Sequence, residues 1–361
     1  CALDAMEELS RVFGGKTVLV TGDTGFKGSW LTVWLRELGA RVVGFALPPT
    51  QPGDMFPTLG LERIIEHLDG DVRELASLLR VFREWQPEFC FHLAAQSLVR
   101  PSYADPKRTF DTNIAGSVNV LEAVRLTDSV RATVYVTSDK CYRNREWTWG
   151  YRENDELGGR DPYSASKAAA EMVFSSYVDS FFSARPNFGI ASVRAGNVVG
   201  GGDWSEDRIV PDCMRALAAR KPIVIRNPTA RRPWQHVLEP LSGYLLLAAR
   251  LYEMSGKYGG AWNFGPPIDS GRTVEDLARS IVACWGEGGI EIQNTPDQPH
   301  EALLLHLNCD LARQKLGWRP RLDFDRTIEE TVRWYKLVSA GSAAIDVTLQ
   351  QIRSYTGAVD D

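Results

Sequence analysis

Residues 17–28 read Thr17-Val18-Leu19-Val20-Thr21-Gly22-Asp23-Thr24-Gly25-Phe26-Lys27-Gly28, and this stretch decides the fold. Thr17 to Thr21 is a short β-branched run that stops at a glycine. From Phe26 to Leu38 apolar residues return at helical spacing until Gly39 ends the segment. The order is strand, glycine turn, helix. Between strand and helix the G-x-x-G-x-x-G spacing of Gly22, Gly25 and Gly28 allows close approach of backbone to a pyrophosphate, with the helix N-terminus facing the phosphates. A glycine triplet alone is weak evidence, but here the elements the motif requires stand on both sides of it. Gly22, Gly25, Phe26, Lys27 and Gly28 are therefore read as dinucleotide-binding.

Working outward, the same units repeat: strand Arg41 to Phe45, strand Ile64 to Leu68, helix Val72 to Trp85, strand Phe89 to Leu93, helix Phe110 to Arg125, strand Ala132 to Thr137. Such alternation implies an α/β fold, a doubly wound parallel sheet covered by helices on both faces. Ligands then sit beyond the carboxyl ends of the strands, where Asp71-Val72, Ala94-Ala95-Gln96 and Ser138-Asp139-Lys140 fall. The second strand ends Phe45-Ala46-Leu47-Pro48-Pro49, without the acid that usually holds the adenosine ribose of NAD. Charge alone does not choose between NAD and NADP. NAD is favoured because no base follows that strand, Arg36 and Arg63 being the two that could come round.

Tyr163 and Lys167 stand at i and i+4, just after a loop ending Gly158-Gly159, and share one helix face. If that face opens onto a bound nicotinamide, the ammonium and the positive ring lower the phenol from about 10 toward neutrality, and Tyr163 can deprotonate a sugar hydroxyl. After strand Gly189 to Arg194 the alternation is lost at Gly200-Gly201-Gly202. Arg226, Arg231 and Arg232 follow, with Arg208 nearby, and guanidinium forks suit a diphosphate. A solvated basic face is an equal reading of the same cluster. Val237 to Tyr252, Thr273 to Cys284 and Asp325 to Leu337 read as helices, and Trp262 to Phe264 as a strand, so two lobes interleave.

The chain of 361 residues, 44% hydrophobic and 24% charged, is that of an ordinary globular protein. A net charge of -5 argues against nucleic acid as partner. The six cysteines lie far apart and the five histidines lack metal-ligand spacing, so reduced thiols and no metal are expected. No run approaches the roughly 18 apolar residues of a membrane span, nor does the N-terminus read as a signal peptide; a cytoplasmic protein with no membrane partner is expected. Residues 1–14 are set aside as an N-terminal tail.

Over nearly all of residues 15 to 340 the chain resembles the extended short-chain dehydrogenase/reductases, and within them the nucleotide-sugar 4,6-dehydratases. The motifs, in order, are TGDTGFKG at Thr21 to Gly28, GDVR at Gly70 to Arg73, HLAAQ at His92 to Gln96, TSDKCY at Thr137 to Tyr142, YSASK at Tyr163 to Lys167, and RAGNVVGGGDW at Arg194 to Trp204. Their detailed forms are most similar to the branch acting on CDP-glucose, rather than dTDP-glucose or GDP-mannose. The resemblance implies an internal redox cycle on NAD. Tyr163 deprotonates the 4-hydroxyl as C4 gives up a hydride, water leaves across C5 and C6, and the hydride returns to C6, giving CDP-4-dehydro-6-deoxy-D-glucose. By the same resemblance Ser138 binds the 4-hydroxyl, Asp139 is the acid for the 6-hydroxyl, and Lys167 holds Tyr163 and the nicotinamide ribose. The dTDP branch has an acid where this chain has Lys140; we expect Lys140 to be the C5 base, its pKa lowered by nearby Lys167. The bland alternative is a salt bridge that orients Asp139.

The cofactor set implied is Gly22, Gly25, Phe26, Lys27, Gly28, Asp71, Val72, Ala94, Ala95, Gln96, Asn113, Tyr163 and Lys167. The substrate set is Gln96, Ser138, Asn197, Arg208, Arg226, Arg232 and His300. The resemblance also implies a homodimer, open to higher assembly, built through the helices holding Asn113 and Tyr163, and a place in bacterial deoxysugar synthesis for surface polysaccharide (lipopolysaccharide O-antigen). We expect residues 15–196 and 236–264 to form the NAD-binding domain, and 197–235 and 265–361 the nucleotide-sugar domain. Trp147 and Trp149 are read as a lid or subunit contact, and Cys141 as a packed thiol. A nucleotide-sugar 4-epimerase would share the glycine loop and the Tyr-Lys pair but has no need of acid and base at C5 and C6. A non-catalytic dinucleotide sensor would need neither set.

Overall fold

The computed structural model describes residues 2–51, 53–267, 271–293 and 304–357. Seven strands, β1 (Thr17–Thr21), β2 (Arg41–Ala46), β3 (Glu66–Asp69), β4 (Phe89–His92), β5 (Ala132–Val136), β6 (Gly189–Ala195) and β7 (Gly260–Phe264), form one sheet. Their order is β7-β6-β5-β4-β1-β2-β3 and every pairing is parallel. The chain winds outward in both directions from β1, so the topological switch lies between β1 and β4, which pair from Val18↔Phe89 to Thr21↔His92. A crevice opens above carboxyl ends at such a switch.

Central strands buried on both faces should be apolar throughout. Every residue of β4 and of β5 is buried. Val18 and Val20 of β1 enter a core on one face with Trp30, Leu31 and Trp34 of α2 (Phe26–Glu37). Leu19 points the other way, into a second core with Leu78 and Phe82 of α3 (Leu75–Trp85), Val120 and Val124 of α4 (Gly116–Arg125) and Phe174 of α5 (Pro162–Tyr177).

Three local differences from the expected elements have physical causes. Helix α3 starts at Leu75, three residues late, because the Asp71 carboxylate accepts the Arg73 N–H at 2.9 Å and makes a turn there. The stretch expected as one helix from Phe110 is three pieces: Pro106–Phe110, a wider π-turn at Asp111–Ala115, and α4. The π-turn carries the buried Asn113. The reading of residues 1–14 as a tail is wrong: α1 spans Ala2–Phe13. Leu9, Val12 and Phe13 are buried, and the Phe13 ring meets Phe89 of β4 at 4.7 Å between centroids. Met6, Leu9, Val12 and Phe13 follow helical spacing, a pattern lost when the segment was set aside.

Beyond β6 the chain leaves the sheet. Val198–Val199 pairs with Gln235–His236, Ile223–Ile225 with Ile290–Ile292, and Arg231–Arg232 with Arg272–Thr273. These short pairs, with α6 (Ile209–Ala218), stand over the carboxyl edge of the sheet. Helix α7 (Leu238–Glu253) returns to the sheet, α8 (Val274–Trp285) packs on α6, and α9 (Phe324–Ser339) on α8. Helix α10 (Ala344–Gly357) lies against α1 and α2, with Tyr355 edge-on to Trp34 at 5.8 Å and Arg353 paired to Glu37 at 2.7 Å. Among the described residues no helix is long and apolar enough to cross a membrane.

Candidate active site

A cleft of about 1900 Å3 runs along the carboxyl edge, bounded by the glycine loop, the ends of β4 to β6, the start of α5, and the segments about α6 and 222–234. Pockets for one small ligand hold roughly 300–1000 Å3. This cleft has room for two.

At its floor Gly22 has φ +78°, and a Cβ there would lie 2.6 Å from the Ala94 nitrogen. A Cβ on Gly28 would lie 2.0 Å from the Gly22 carbonyl oxygen, so α2 can settle onto the loop only as this glycine pair allows. Gly25 caps α2 without a side-chain hydrogen bond, which leaves the first-turn N–H groups open to the cleft. Lys27, in that turn, lines the floor with its ammonium 5.7 Å from the centre of the Tyr244 ring. Burial, reinforced by Arg208 and Lys167, lowers Lys27 to about 8. Uncapped amides and an enclosed ammonium fit a pyrophosphate. At the far end of the loop Thr24 donates to the Leu47 carbonyl at 2.9 Å, and Asp71, which lines the cleft with Val72, is held by Arg73. Arg36 donates to the Ala40 carbonyl and Arg63 pairs with Glu62; neither lines the cleft. Among the described residues, the end that would meet an adenosine ribose thus lacks the base that a 2′-phosphate needs.

The candidate reacting groups converge from two elements. As β5 ends, Ser138 turns the chain into a short 3-10 segment, Asp139–Cys141, accepting the Lys140 N–H at 3.2 Å and donating to Asp139 Oδ1 at 2.9 Å. Burial raises Asp139, against the opposing pull of Lys140, Ser138 and Arg232. Gly196, just past β6, makes room for that carboxylate, since a Cβ there would stand 3.0 Å from Asp139 Oδ2. Facing this turn is the first turn of α5. Asp161 caps it by accepting the Ser164 N–H at 2.9 Å, and Pro162 takes the first helical position. Tyr163 and Lys167 both line the cleft. Burial pushes Tyr163 up to about 12, with nearby Ser138 working against the rise. The phenol of the ligand-free protein is therefore protonated, opposite to the lowering expected beside a cationic ring, because desolvation outweighs the polar groups and charges present. Burial lowers Lys167 to about 8; its ammonium points toward the Val136 carbonyl at 3.5 Å, while Glu171 raises it. Among the described residues Lys140 lines the cleft without a salt bridge to Asp139.

Other expected residues divide. Ala94, Ala95, Asn197, Arg208, Arg226 and Arg232 line the cleft. Arg208 pairs with Asp203 at 3.1 Å and Arg226 with Asp207 at 3.5 Å. Gln96 is not on the cleft wall: its side chain bonds the Leu98 N–H at 2.7 Å, the Leu98 carbonyl and Thr109. Asn113 also lies behind the wall, accepting the Gln96 N–H at 2.8 Å and donating to Ser166 at 2.8 Å. It ties the loop after β4 to α5. Arg231 turns away to the Gly271 carbonyl. His300 falls outside the described residues. Trp147 stacks on Tyr151 at 5.2 Å and Trp149 is 70% exposed, neither lining the cleft. Cys141 is a buried thiol raised well above its ordinary value, which fits packing and not nucleophilic chemistry. Asp161, Gly196 and the acids opposite the arginines were missed. The Asp161-Pro162 pair carries a readable cap signature; Asp203 and Asp207 carry none.

A doubly wound sheet, a glycine loop at its switch point, and a tyrosine-lysine helix facing a serine-acid turn define an enzyme of the extended short-chain dehydrogenase/reductase class. The model of the GDP-mannose 4,6 dehydratase family matches residues 19–331, and the chain belongs to that family. It is 46% identical over 349 residues to CDP-glucose 4,6-dehydratase of Salmonella typhimurium, covering 95% of this chain and 97% of that one. Against dTDP-glucose 4,6-dehydratase of Xanthomonas campestris it is 27% identical, covering 88% and 93%. Among solved structures, the UDP-glucose 4-epimerase of Thermus thermophilus in complex with NAD aligns with a TM-score of 0.75 at 26% identity, over 89% of this chain and 99% of that one. The dTDP-glucose 4,6-dehydratase of Streptomyces venezuelae, with NAD bound, has a TM-score of 0.75 at 22% identity, over 89% and 97%, a likeness of fold alone.

Proposed function

We propose that the protein is a CDP-glucose 4,6-dehydratase, a hydro-lyase that converts CDP-glucose to CDP-4-dehydro-6-deoxy-D-glucose and water with NAD as resident cofactor. The observation that carries the reading is the buried, upward-shifted carboxyl of Asp139, hydrogen-bonded to Ser138 and facing the cleft that Tyr163 also lines. A carboxyl held toward its protonated form can protonate a departing hydroxyl, and an epimerase has no such step. The cytidine assignment is supported by the 46% identical relative, which is named for CDP-glucose.

The open amides of α2, Lys27, and the segments at Asp71-Val72 and Ala94-Ala95 would hold NAD, with Gln96 and Asn113 shaping the loop from behind. The chemistry NAD supplies when bound is reversible two-electron redox at the sugar, out at C4 and back at C6. Tyr163 takes the proton of the 4-hydroxyl while Ser138 fixes that oxygen. Lys167, one turn along, supplies the positive charge that favours the phenolate. The 4-ketone makes the C5 proton acidic; Lys140 removes it, and Asp139 gives its proton to the 6-hydroxyl as water leaves. Arg208, Arg226 and Arg232, with Asn197, take the diphosphate, which would replace Asp203 and Asp207 as the partners of Arg208 and Arg226. We further propose the interleaved division into residues 15–196 with 236–264 and residues 197–235 with 265–361, except that α1 and α10 belong with the cofactor lobe.

Incubation of the purified protein with CDP-glucose and NAD tests the reading. It predicts a product lighter by one water with a ketone at C4; appearance of CDP-galactose instead would make the protein an epimerase.

A further inference from the structure

The active-site helix carries a third polar residue on the face of Tyr163 and Lys167. Glu171, one turn beyond Lys167, is 2% exposed and turned into the protein. Its carboxylate accepts four hydrogen bonds. Thr137 and Arg194 Nε (2.9 Å) reach Oε1; Ser192 (2.9 Å) and Arg194 Nη2 (2.7 Å) reach Oε2. Arg194 then donates to the Tyr142 hydroxyl at 2.7 Å and to the Glu153 carbonyl at 2.8 Å, and Tyr142 donates to Asn263 of β7 at 2.8 Å. One carboxylate thus joins α5 to the end of β5, to β6 and, through Arg194 and Tyr142, to β7. Thr137, its partner just past β5, is the residue before Ser138.

The groups facing Lys167 come from four elements: Glu171 and Tyr163 on its own helix, Cys141 after β5, Lys27 from α2, and His92 from β4. Lys27 is a like charge. Burial holds His92 down at about 3, hence neutral, and raises the Cys141 thiol, which keeps its proton. Tyr163 is also protonated in the free protein. Glu171 is the one anion in this set. A buried ion pair such as Glu171–Arg194 is poor evidence of stabilisation in itself, because apolar replacements of similar volume are often neutral. Its placement calls for another account.

We infer that Glu171 is a positioning residue for the reaction: it keeps Lys167 charged and holds the Tyr163 helix in register with the Ser138-Asp139-Lys140 turn. Arg194 matches the buried carboxylate through two nitrogens, Nε at 2.9 Å and Nη2 at 2.7 Å.

The test compares Glu171→Gln, the charge-neutral pair Glu171→Gln with Arg194→Met, and Glu171→Asp. The neutral pair leaves no buried charge unmatched and guards against misfolding of the single variant. The alkaline limb of the kcat profile with CDP-glucose is expected to move to lower pH by about one unit in the Gln variant and in the pair, with kcat affected more than KM. The Asp variant, which keeps the charge, should retain the wild-type limb. A second readout needs neither substrate nor cofactor: in 15N-lysine NMR titration of the free protein, Lys167 should lose its proton at lower pH in the pair than in the wild type. The inference rests on the dehydratase reading only for the assay, and the NMR arm separates the failure of one from that of the other. Activity lost equally at all pH with Lys167 titrating as in the wild type would overturn it, as would an Asp variant that shifts like the Gln variant.

Discussion

Asp139 and Lys140 are neighbours in different surroundings, and the division of labour proposed for them follows from that. Both line the cleft, but Asp139 is buried beside Gly196 and Ser138 whereas Lys140 is half-buried. Burial disfavours the carboxylate and readies a proton donor. If Lys140 is the base at C5, Lys140→Met abolishes exchange of the C5 hydrogen with deuterated solvent while the first oxidation at C4 survives; exchange at the wild-type rate would remove Lys140 from that role. Asp139→Asn should lower kcat by about 10²–10⁴ with C5 exchange retained. These residues were legible because a chain of polar residues after an apolar strand points at the site. The packing role of Asn113 and Gln96 was not legible, since it depends on the π-turn and on which way a loop amide turns. Neither leaves a periodic trace.

The elements make the same contrast. Apolar runs and the glycine turn were enough to read all seven strands of the sheet, with boundaries moved by one or two residues where caps and turns intervene. Helix α1 was lost by exclusion, and α10 because its role is to cover α2, a partner remote in sequence. A buried carboxylate helps hold the C-terminal elements. Glu239, at the start of α7, accepts the backbone N–H groups of Arg321 and Leu322 at 2.9 and 2.7 Å and the Tyr355 hydroxyl at 2.8 Å. Burial raises it from 4.5 to about 7. Between those values the folded chain keeps a proton that the unfolded chain has released, so this group's contribution to stability falls as pH rises through that window. Relative to wild type, Glu239→Gln should therefore gain stability between pH 5 and pH 8, on the order of 2 kcal/mol, in urea unfolding. An unchanged difference at the two pH values would mean that Glu239 is ionised throughout. Glu239→Ala should instead cost about 2–3 kcal/mol by leaving its donors unsatisfied.

At the scale of the whole molecule, one core runs from α1 and α2 through α7 to α8, α9 and α10. Tyr103, Phe110 and Met172 are exposed at 54%, 37% and 58%, on two short helices before α4 that pack on α5 and on α5 itself. Apolar side chains collected on helices that back the active site suit a second copy of the chain. We expect a dimer by light scattering at micromolar concentration, and a monomer from the Tyr103→Glu, Met172→Glu pair; a wild-type monomer would contradict the interface. Fold likeness alone did not choose a reaction, since epimerases and dehydratases share this architecture. The choice rests on the residues at the end of β5. The central claim is an internal redox cycle with elimination between its two halves. It is tested most directly by CDP-glucose deuterated at C4, mixed with unlabelled CDP-glucose carrying 13C throughout the sugar, with the product analysed by mass spectrometry and NMR. The account predicts that deuterium reappears at C6 of the same sugar that lost it, with one water gone and no crossover. Deuterium retained at C4, lost to solvent, or found on the 13C-labelled sugar would contradict it.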